Sequence, residues 1–388
     1  MAEPMQVAPP SNSRFDRLPA WQRAATLVLA VLGICIVLLL LAEAGVRLRN
    51  KMRHGDFWGI EETYTLDRVS GLRIPVPGGR FGPILINSFG FRSPEITEDK
   101  PPGRVRVAFL GGSTTYCAEV SSNEMTWPHL VWKALHDRWP DLDIDYINAG
   151  VPGYTTRALL PALEKRVARF KPDIIVIYEA TNDLSANSYE LARDQGVAEN
   201  RPQVDDFNWL TRHSLLALLV RKNLEIMRQQ RLATSSSGKL KLDTARLDAE
   251  FREDYTNLVE ASAKIANIVV TVTFAPRLRA EQSPEQRKEA AVSSLYYMPY
   301  MTIDDLVTAF AHYNQVIREV AGTHRTLLVG AESAIPADSE HYTDSVHFTD
   351  AGSVAMAHRV ASALISSAPV QALALAADTE KTKTSITN

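Results

Sequence analysis

The sequence has little cysteine and no excess of charge of either sign. Its 388 residues include two cysteines, Cys35 and Cys117, and the first lies inside a long apolar run, so a disulfide framework is not expected. The formal net charge is −3, and no basic stripe with interleaved aromatic residues occurs. The electrostatic footprint of a nucleic-acid-binding protein is therefore missing, and nucleic acid is not expected as a partner.

Motifs that mark several common enzyme classes are missing as well. Gly111 and Gly112 are followed by Ser113 without the lysine of a Walker loop, and no third spaced glycine completes a dinucleotide fingerprint. The Gly-x-Ser-x-Gly elbow of the α/β-hydrolases is also absent around Ser113. Because familiar metal-ligand spacing is lacking too, we expect neither a metal nor an organic cofactor.

One long apolar run is present near the N-terminus. Residues 24–42 carry no charge and are rich in Leu, Val and Ile. At about 1.5 Å of rise per residue, a helix of this length reaches the roughly 30 Å of a bilayer's hydrocarbon core. We therefore predict a transmembrane anchor at 23–43. A cleaved signal peptide is the alternative, since residues 42–44 have the small-x-small form of a cleavage site, but the run is longer than a signal core.

The charges that flank this anchor are nearly balanced. Basic residues precede it and follow it in almost equal number: Arg14, Arg17 and Arg23 before, and Arg47, Arg49, Lys51 and Arg53 after. By the positive-inside rule the more basic side faces the cytoplasm. The flanking charges thus place the main domain in the cytoplasm, by a margin of one residue.

Composition separates the main domain from two tails. Residues 1–22 and 369–388 are rich in small or polar residues, which predicts disorder. The main domain is expected at 101–368, a length that allows a substantial core.

Two further segments stand out by composition. A lead-in segment at 44–100 contains a cluster of turn residues at 75–79 and a short strand and turn within 83–92. An insertion in the main domain at 185–242 is less regular, with an amphipathic helix near 215–231. We interpret the insertion as a lid over a site or, equally well, as structural padding.

Strand and helix signals alternate through the main domain. Apolar runs predict strands at 105–110, 144–147, 173–178, 268–274 and 326–329, and helical spacing predicts helices at 127–139, 156–170, 246–265, 304–321 and 350–366. This alternation is typical of an open, three-layer α/β/α sandwich with a mostly parallel sheet. In such sheets functional sites gather at the carboxyl ends of the strands.

Candidate site residues fall at those strand ends and before the last helix. Ser113 comes after two glycines at the end of the first strand, Gly153 follows the second strand, and Asn182 follows the third. Asp344 and His347 are three residues apart, so on a turn both side chains can converge on one neighbour. Taken singly, each of these residues also fits a turn, a helix cap or a surface pair.

Together the same residues supply each role of an acyl-transfer site once. Acyl transfer needs a hydroxyl nucleophile, a base and a group that orients the base, and Ser113, His347 and Asp344 are our candidates. It also needs donors aimed at the developing oxyanion, a role open to Gly153 and Asn182. The pattern therefore predicts a serine-dependent acyl-transfer site.

The segments that hold these residues resemble the SGNH hydrolases, also called the GDSL esterase and lipase family, from about residue 86 to residue 363. The four letters stand for residues that correspond here to Ser113, Gly153, Asn182 and His347, and the family's acidic residue three positions before the histidine corresponds to Asp344.

The resemblance implies a flavodoxin-like sheet and an oxyanion hole. That hole is made by the backbone N–H groups of Ser113 and Gly153 and by the side-chain amide of Asn182. The segment at 87–92, together with the N-terminal span, is similar to a membrane-anchored branch of the family. The resemblance favours a domain outside the cytoplasmic membrane of a bacterium, against the one-residue charge margin.

A few positions depart from the family pattern. Gly112 stands where many members have Asp, although a Gly-Gly-Ser-Thr form is familiar in this branch. Cys117 and Ala180 occupy positions where glycine is common, which affects the shape of the pocket. Cys117 as an alternative nucleophile is not expected, because nothing positions it like Ser113.

These patterns lead to a membrane-anchored serine esterase that acts on acyl esters, short-chain or O-acetyl, through an acyl-enzyme. The substrate is expected to be an acylated small molecule, glycan or lipid. An O-acyltransferase with the same residues and a non-catalytic glycan- or lipid-binding protein are alternatives. The oligomeric state stays open.

Two further alternatives concern single clusters. A metal-dependent hydrolase would use His341 with Asp344 and His347. An aromatic cluster at 296–300 fits either a substrate cleft or core packing.

Overall fold

The structure is a computed structural model that describes residues 18–54, 63–198, 213–234 and 238–387. It divides into two compact units, one formed by residues 1–58 and 207–220 and the other by residues 59–206 and 221–388. The candidate site residues all belong to the second unit.

The secondary structure of the described residues is as follows. The strands are β1 Tyr64–Leu66, β2 Arg73–Pro75, β3 Arg80–Phe81, β4 Ile84–Leu85, β5 Val105–Gly111, β6 Ile144–Asn148, β7 Ile174–Tyr178, β8 Ile268–Val272 and β9 Leu327–Val329. The α-helices are α1 Ala20–His54, α2 Ser113–Tyr116, α3 Trp127–Arg138, α4 Thr156–Ala162, α5 Thr181–Asp194, α6 Leu215–Thr234, α7 Thr244–Ile265, α8 Pro284–Ala290, α9 Val292–Tyr297, α10 Ile303–His324, α11 Asp350–Ser366 and α12 Ala368–Thr387.

The first unit is dominated by α1, which has 35 residues. Its stretch Ala20–Met52 is long and apolar enough to cross a membrane, and the leucine, valine and isoleucine side chains at 27–41 are exposed. The predicted anchor at 23–43 lies within this helix. Since the helix begins at Ala20, the last residues of the tail predicted at 1–22 are helical, and residues 1–17 lie outside the described part of the chain.

A carboxylate at the end of the apolar run caps α6, whose first residues belong to the same unit. Glu43 accepts hydrogen bonds from the Ser214 hydroxyl at 2.8 Å and from the N–H groups of Leu215 and Leu216 at 3.0 and 2.9 Å. These backbone donors belong to the first turn of α6, where no partner exists inside the helix. The charge that bounds the apolar run therefore stabilises the start of α6.

The second unit is built on a five-stranded parallel sheet with the strand order β6-β5-β7-β8-β9. Counted within the sheet, this order is 2-1-3-4-5, the flavodoxin-like winding. The strands β5, β7 and β8 are buried along their whole length, as the continuous apolar runs predicted. The parallel sheet is therefore confirmed, and its strands start or end within two residues of the predicted limits.

Helices cover both faces of this sheet. The helices α3 and α11 pack against each other, while α4, α5 and α10 each pack against α7. The core between sheet and helices contains an edge-to-face aromatic stack, in which Trp127 lies 5.1 Å from Phe109 and 5.8 Å from Tyr178 between ring centroids. The α/β/α sandwich is confirmed.

The lead-in segment forms two small antiparallel pairs, β1 with β2 and β3 with β4. After β4, the side-chain oxygen of Asn87 accepts hydrogen bonds from the N–H groups of Phe89 and Phe91, both at 3.0 Å. After this turn Arg92 is buried in the interior of the second unit, to which the described part of the lead-in segment from residue 63 onward also belongs. The predicted short strand within 83–92 corresponds to β4.

Two predicted segments differ from the structure. The helix predicted at 156–170 is α-helical only in α4, then continues as a π-helix at Leu163–Val167 and a 3-10 helix at Ala168–Phe170. Pro161 lies inside α4 and removes one backbone donor, which favours a change of winding. The insertion predicted to start at 185 begins inside α5, so its first ten residues are regular helix.

The C-terminal tail is the clearest correction. The segment at 369–388 was expected to be disordered because its residues are small and polar, yet α12 spans Ala368–Thr387. Val370, Ala374 and Ala377 are buried, at the i, i+4, i+7 spacing of one helical face. Two of these three residues are alanines, whose side chains are small. The apolar face is therefore hard to recognise in the sequence, although the helix packs with it against the rest of the second unit.

Candidate active site

The candidate residues lie together at the carboxyl ends of the parallel strands. Ser113 follows β5, Gly153 follows β6, and Asn182 lies in the first turn of α5 after β7. These three residues and His347 line a cleft of about 350 Å³. The edge predicted from the strand pattern is therefore the edge at which the structure brings these residues together.

Ser113, His347 and Asp344 form a continuous chain of hydrogen bonds. The hydroxyl Oγ of Ser113 lies 2.7 Å from Nε2 of His347, and Nδ1 of the same imidazole lies 2.8 Å from Oδ2 of Asp344. The other carboxylate oxygen, Oδ1, accepts from the backbone N–H groups of Val346 and His347 at 2.8 and 2.9 Å. Because both of its oxygens are held, Asp344 fixes the plane of the imidazole ring.

The protonation of this pair follows from its surroundings. Burial favours the neutral imidazole, but the hydrogen bond to Asp344 and the charge of Glu119 together raise the pKa of His347 above its usual value. Burial alone would raise the pKa of Asp344, yet its hydrogen bonds with His347 and with backbone N–H groups hold that pKa below its usual value. Asp344 is thus charged at neutral pH and stabilises an imidazolium beside it.

Two glycines allow the backbone before Ser113 to pass close to its neighbours. A Cβ atom at Gly111 would lie 2.2 Å from Oγ1 of Thr115 and 2.3 Å from the carbonyl oxygen of Tyr178. A Cβ atom at Gly112 would lie 2.3 Å from Oε2 of Glu179. The Tyr178 carbonyl belongs to the backbone and cannot move aside, so glycine is required at position 111, whereas at position 112 the close neighbour is the end of a side chain.

The short helix α2 is held in place by side chains from distant parts of the chain. The indole N–H of Trp127 donates to the carbonyl of Thr114 at 3.0 Å, and the amide of Asn148 donates to the carbonyl of Thr115 at 2.9 Å. Arg92 donates to the carbonyl of Tyr116 at 3.0 Å and also to that of Cys117. The carbonyl groups of residues 114–117 therefore have hydrogen-bond donors although the helix ends at Tyr116.

The candidate oxyanion donors belong to residues that line the same cleft as Ser113. Gly153 has a φ of +84°, a backbone conformation that favours glycine. Within the described residues, the N–H groups of Ser113 and Gly153 have no hydrogen-bond acceptor in the protein. The amide Nδ2 of Asn182 donates to the carbonyl of Tyr154 at 2.8 Å, which fixes its orientation. Two backbone donors are therefore free to bind an oxyanion, whereas the Asn182 amide, which also lies 3.4 Å from Oε2 of Glu179, would have to exchange one of its present acceptors for the oxyanion.

Two acidic residues near the site were given no role by the sequence. Oε1 of Glu119 lies 4.0 Å from Nδ1 of His347, and Glu119 lines the cleft. Glu179 ends the buried run of β7 and is itself fully buried. The sequence could have pointed to Glu179, because this acidic residue comes directly after the buried run at 174–178. No comparable pattern surrounds Glu119.

The aromatic cluster at 296–300 divides between the two expected roles. Tyr297 and Met298 line the cleft, with Tyr64 from the lead-in segment as a further aromatic wall. Tyr300 instead packs against the core, with its ring 6.3 Å from that of Tyr189.

His341, the third member of the possible metal set, is directed elsewhere. Its Nδ1 lies 2.8 Å from Oδ1 of Asp338. Within the described residues, no group of three or more histidines, cysteines and carboxylates is arranged to hold a metal ion. His341 thus belongs to a local pair of its own.

Cys117 is a buried residue with an unreactive thiol and a left-handed backbone conformation. Burial raises the pKa of its thiol to about 12, so the reactive thiolate is not formed at neutral pH. Its φ is +59°, in the left-handed region that favours glycine. A glycine would adopt this conformation with less strain than Cys117 does.

Similarity to known proteins is found among solved structures, whereas no curated protein matches the chain significantly. Among solved structures, an acetylxylan esterase from Geobacillus stearothermophilus is 17% identical, with a TM-score of 0.41 over 69% of this chain and 96% of that one. An α/β hydrolase from the metagenome of Lake Arreo, Spain, is 16% identical, with a TM-score of 0.41 over 67% of this chain and 94% of that one.

A family model gives the decisive match. The model of the GDSL-like lipase and acylhydrolase family matches residues 109–355, which is well over half of the chain and includes every candidate site residue. Members of this family hydrolyse ester bonds. The chain therefore belongs to the GDSL-like lipase and acylhydrolase family and is an ester-hydrolysing enzyme.

Proposed function

We propose that this chain is a membrane-anchored serine esterase that hydrolyses short-chain or O-acetyl esters through an acyl-enzyme. The observation that carries the proposal is the chain of hydrogen bonds from Ser113 through His347 to Asp344, with distances of 2.7 and 2.8 Å. Distances of this length allow direct proton transfer between nucleophile and base.

In the first half of the reaction, Oγ of Ser113 attacks the ester carbonyl carbon while its proton passes to Nε2 of His347. The carbonyl electron pair moves onto the oxygen, which accepts hydrogen bonds from the Ser113 and Gly153 N–H groups and from the Asn182 amide. When this intermediate collapses, the ester C–O bond breaks and the leaving alcohol takes the proton from Nε2. An acyl group is then bound to Ser113.

In the second half, water repeats the attack on the acyl-enzyme. Its proton passes to Nε2 of His347 while its oxygen bonds to the acyl carbon, and the same donors hold the new oxyanion. Collapse breaks the bond to Oγ of Ser113, which recovers the proton, and the carboxylic acid leaves. Asp344 keeps Nδ1 protonated throughout and stabilises the imidazolium in both halves.

The size of the cleft supports a short acyl group. A volume of about 350 Å³ must hold both the acyl group and part of the alcohol. Met298 and Val346 line the cleft, beside the polar residues Glu119 and Ser293. A small apolar acyl group on a polar alcohol, as in an O-acetylated sugar, matches this mixed lining.

The first test is ester hydrolysis by the full chain in detergent. We expect kcat/KM for nitrophenyl acetate to exceed that for nitrophenyl octanoate by about tenfold or more, because a long acyl chain competes with the alcohol for a cleft of about 350 Å³ that has a partly polar lining. A chelator, expected to have no effect, serves as the control for a metal-dependent reaction. A preference for the octanoate would contradict the short-chain assignment, and transfer of the acetyl group to an added sugar would indicate an acyltransferase.

The membrane anchor and the segment boundaries are part of the proposal. The apolar helix α1 supports a single span, and Glu43 marks the end of its uncharged run. We propose a hydrolase domain at 101–368 that the lead-in segment at 44–100 connects to the anchor. Since Arg92 holds the carbonyls of α2, the lead-in segment is also expected to be needed for activity.

We propose further that the domain lies outside the cytoplasmic membrane of a bacterium. A fusion of alkaline phosphatase after about residue 60 tests this orientation, because that enzyme is active only where its disulfides form. We expect phosphatase activity in intact cells. An inactive phosphatase fusion, together with an active β-galactosidase fusion at the same residue, would place the domain in the cytoplasm. Processing to a shorter chain would indicate a cleaved signal peptide.

A further inference from the structure

Glu179 is a fully buried carboxyl group that the reaction scheme does not use. Its Oε1 accepts hydrogen bonds from the backbone N–H groups of Ala180 and Asn182, both at 3.0 Å. Its Oε2 lies 3.4 Å from the side-chain Nδ2 of Asn182, the amide assigned to the oxyanion hole. Both oxygens of Glu179 therefore contact the segment that carries this donor.

The same carboxyl group occupies the space behind Gly112. A Cβ atom at Gly112 would lie 2.3 Å from Oε2 of Glu179 and 2.4 Å from Nδ2 of Asn182. Gly112 has a φ of −88°, so its backbone does not itself require glycine. The absence of a side chain at position 112 is thus explained by the carboxyl group of Glu179 together with the amide of Asn182 that it contacts.

A second carboxyl group stabilises the segment from the other side. Asp183, also buried, accepts from the N–H of Thr156 at 3.1 Å and from its hydroxyl at 2.6 Å. Burial and the proximity of Asp183 raise the pKa of Glu179 well above its usual value. The raised pKa favours the neutral form of Glu179, which places no negative charge next to the developing oxyanion.

We propose that Glu179 is a positioning residue of the oxyanion hole and that positions 112 and 179 form an exchangeable pair. This inference rests on the proposed function, since it concerns the same site. The two positions share one space, because a Cβ atom at position 112, just after β5, would lie 2.3 Å from Oε2 of Glu179. In this chain Glu179 supplies the carboxyl group from β7, and Gly112 leaves room for it.

The test is a reciprocal exchange in the full chain in detergent. The variants are Glu179→Leu, Gly112→Asp and the double variant Gly112→Asp/Glu179→Leu, with Glu179→Gln as the conservative change. Asp145→Asn is the matched control, because Asp145 binds Arg106 at the opposite end of the parallel strands and is remote from the cleft. Its expected effect is on thermal unfolding alone.

We expect Glu179→Leu to lower kcat about 10²-fold with little change in KM, the loss that follows removal of one oxyanion donor. Gly112→Asp alone is expected to lower kcat similarly, because its side chain meets Glu179. Glu179→Gln keeps an acceptor for the backbone N–H groups and should lose less than tenfold. The double variant is expected to recover at least tenfold over either single variant.

Two outcomes would overturn the inference. The pairing is wrong if the losses of the two single variants multiply in the double variant, since independent sites behave in this way. The positioning role is wrong if Glu179→Leu keeps the wild-type kcat while Ser113→Ala is inactive.

A crystallographic readout separates this inference from the proposed function. In the wild-type chain Nδ2 of Asn182 lies 2.8 Å from the carbonyl of Tyr154. We expect this hydrogen bond to be lost in Glu179→Leu and restored in the double variant, whether or not the chain hydrolyses the ester supplied. An unchanged Asn182 in Glu179→Leu contradicts the positioning role even if the substrate is wrong.

Discussion

Replacing Ser113 by alanine is expected to lower kcat for nitrophenyl acetate by at least about 10³-fold, to the level that the oxyanion donors alone provide. The variant keeps the backbone N–H of residue 113 and the cleft, but it has no oxygen to bond to the acyl carbon. No acyl-enzyme forms, so the burst of nitrophenol that precedes steady-state turnover should vanish as well. Stopped-flow absorbance measures both quantities.

Thr114→Val is the matched control for this change. Thr114 is the next residue of α2, and its buried Oγ1 has no hydrogen-bond partner among the described residues. Removing such a hydroxyl is neutral or slightly stabilising, so activity should stay within about twofold of wild type. If Ser113→Ala retains its turnover and its burst, the nucleophile is another residue. If a chelator abolishes the wild-type activity, the alternative metal mechanism gains support.

Replacing Asp344 by asparagine is expected to produce the second large effect, a loss in kcat of about 10⁴-fold. The substitution keeps the shape of the side chain but removes the charge that stabilises the imidazolium, and it allows the amide to hold the wrong tautomer of His347. Thermal unfolding should change little by comparison, because Asn keeps an oxygen that can accept from the Val346 and His347 N–H groups.

The pH dependence of kcat/KM tests the same role of Asp344, because Asp344 raises the pKa of His347. His347 acts as a base only when neutral, so kcat/KM falls on the acidic side as the imidazole binds a proton. Because Asp344 and Glu119 raise the pKa of His347, the acidic limb of the wild-type profile should lie above the usual value for histidine. In Asp344→Asn the hydrogen bond and charge are lost, and the limb should move to lower pH.

Glu119→Gln separates charge from orientation. Glu119 lies 4.0 Å from Nδ1 of His347, too far for a good hydrogen bond. Its replacement should move the acidic limb to lower pH by less than Asp344→Asn does, while kcat stays within about tenfold of wild type. An acidic limb that stays at the wild-type pH in Asp344→Asn would mean that His347 is not the group that titrates.

The match between prediction and structure was best where a signal is local. Continuous apolar runs such as Ile174–Tyr178 indicate buried parallel strands whatever surrounds them, because only the interior of such a sheet accepts them. It was poorest for α12, because its alanine-rich face gives a weak hydrophobic pattern in the sequence and is stabilised only by packing against the core.

The sequence by itself determined the type of fold and the identity of the candidate site residues. Ser113, Gly153 and Asn182 stood after strands, whose carboxyl ends meet at one edge, and Asp344 and His347 stood before the last helix of the main domain. Only the tertiary structure decided which neighbours these residues have. Ser113 and His347 are separated by 234 positions, yet their side-chain atoms lie 2.7 Å apart.

The roles of Glu119, Glu179 and Arg92 likewise depended on the tertiary structure. A carboxyl group after a strand is charged in water, whereas between Asp183 and Gly112 burial raises the pKa of Glu179. The shift arises from desolvation by several separate elements, and no local pattern encodes their distance. Periodicity and residue type therefore specify the framework and the reacting groups, while packing between distant segments sets their protonation and orientation.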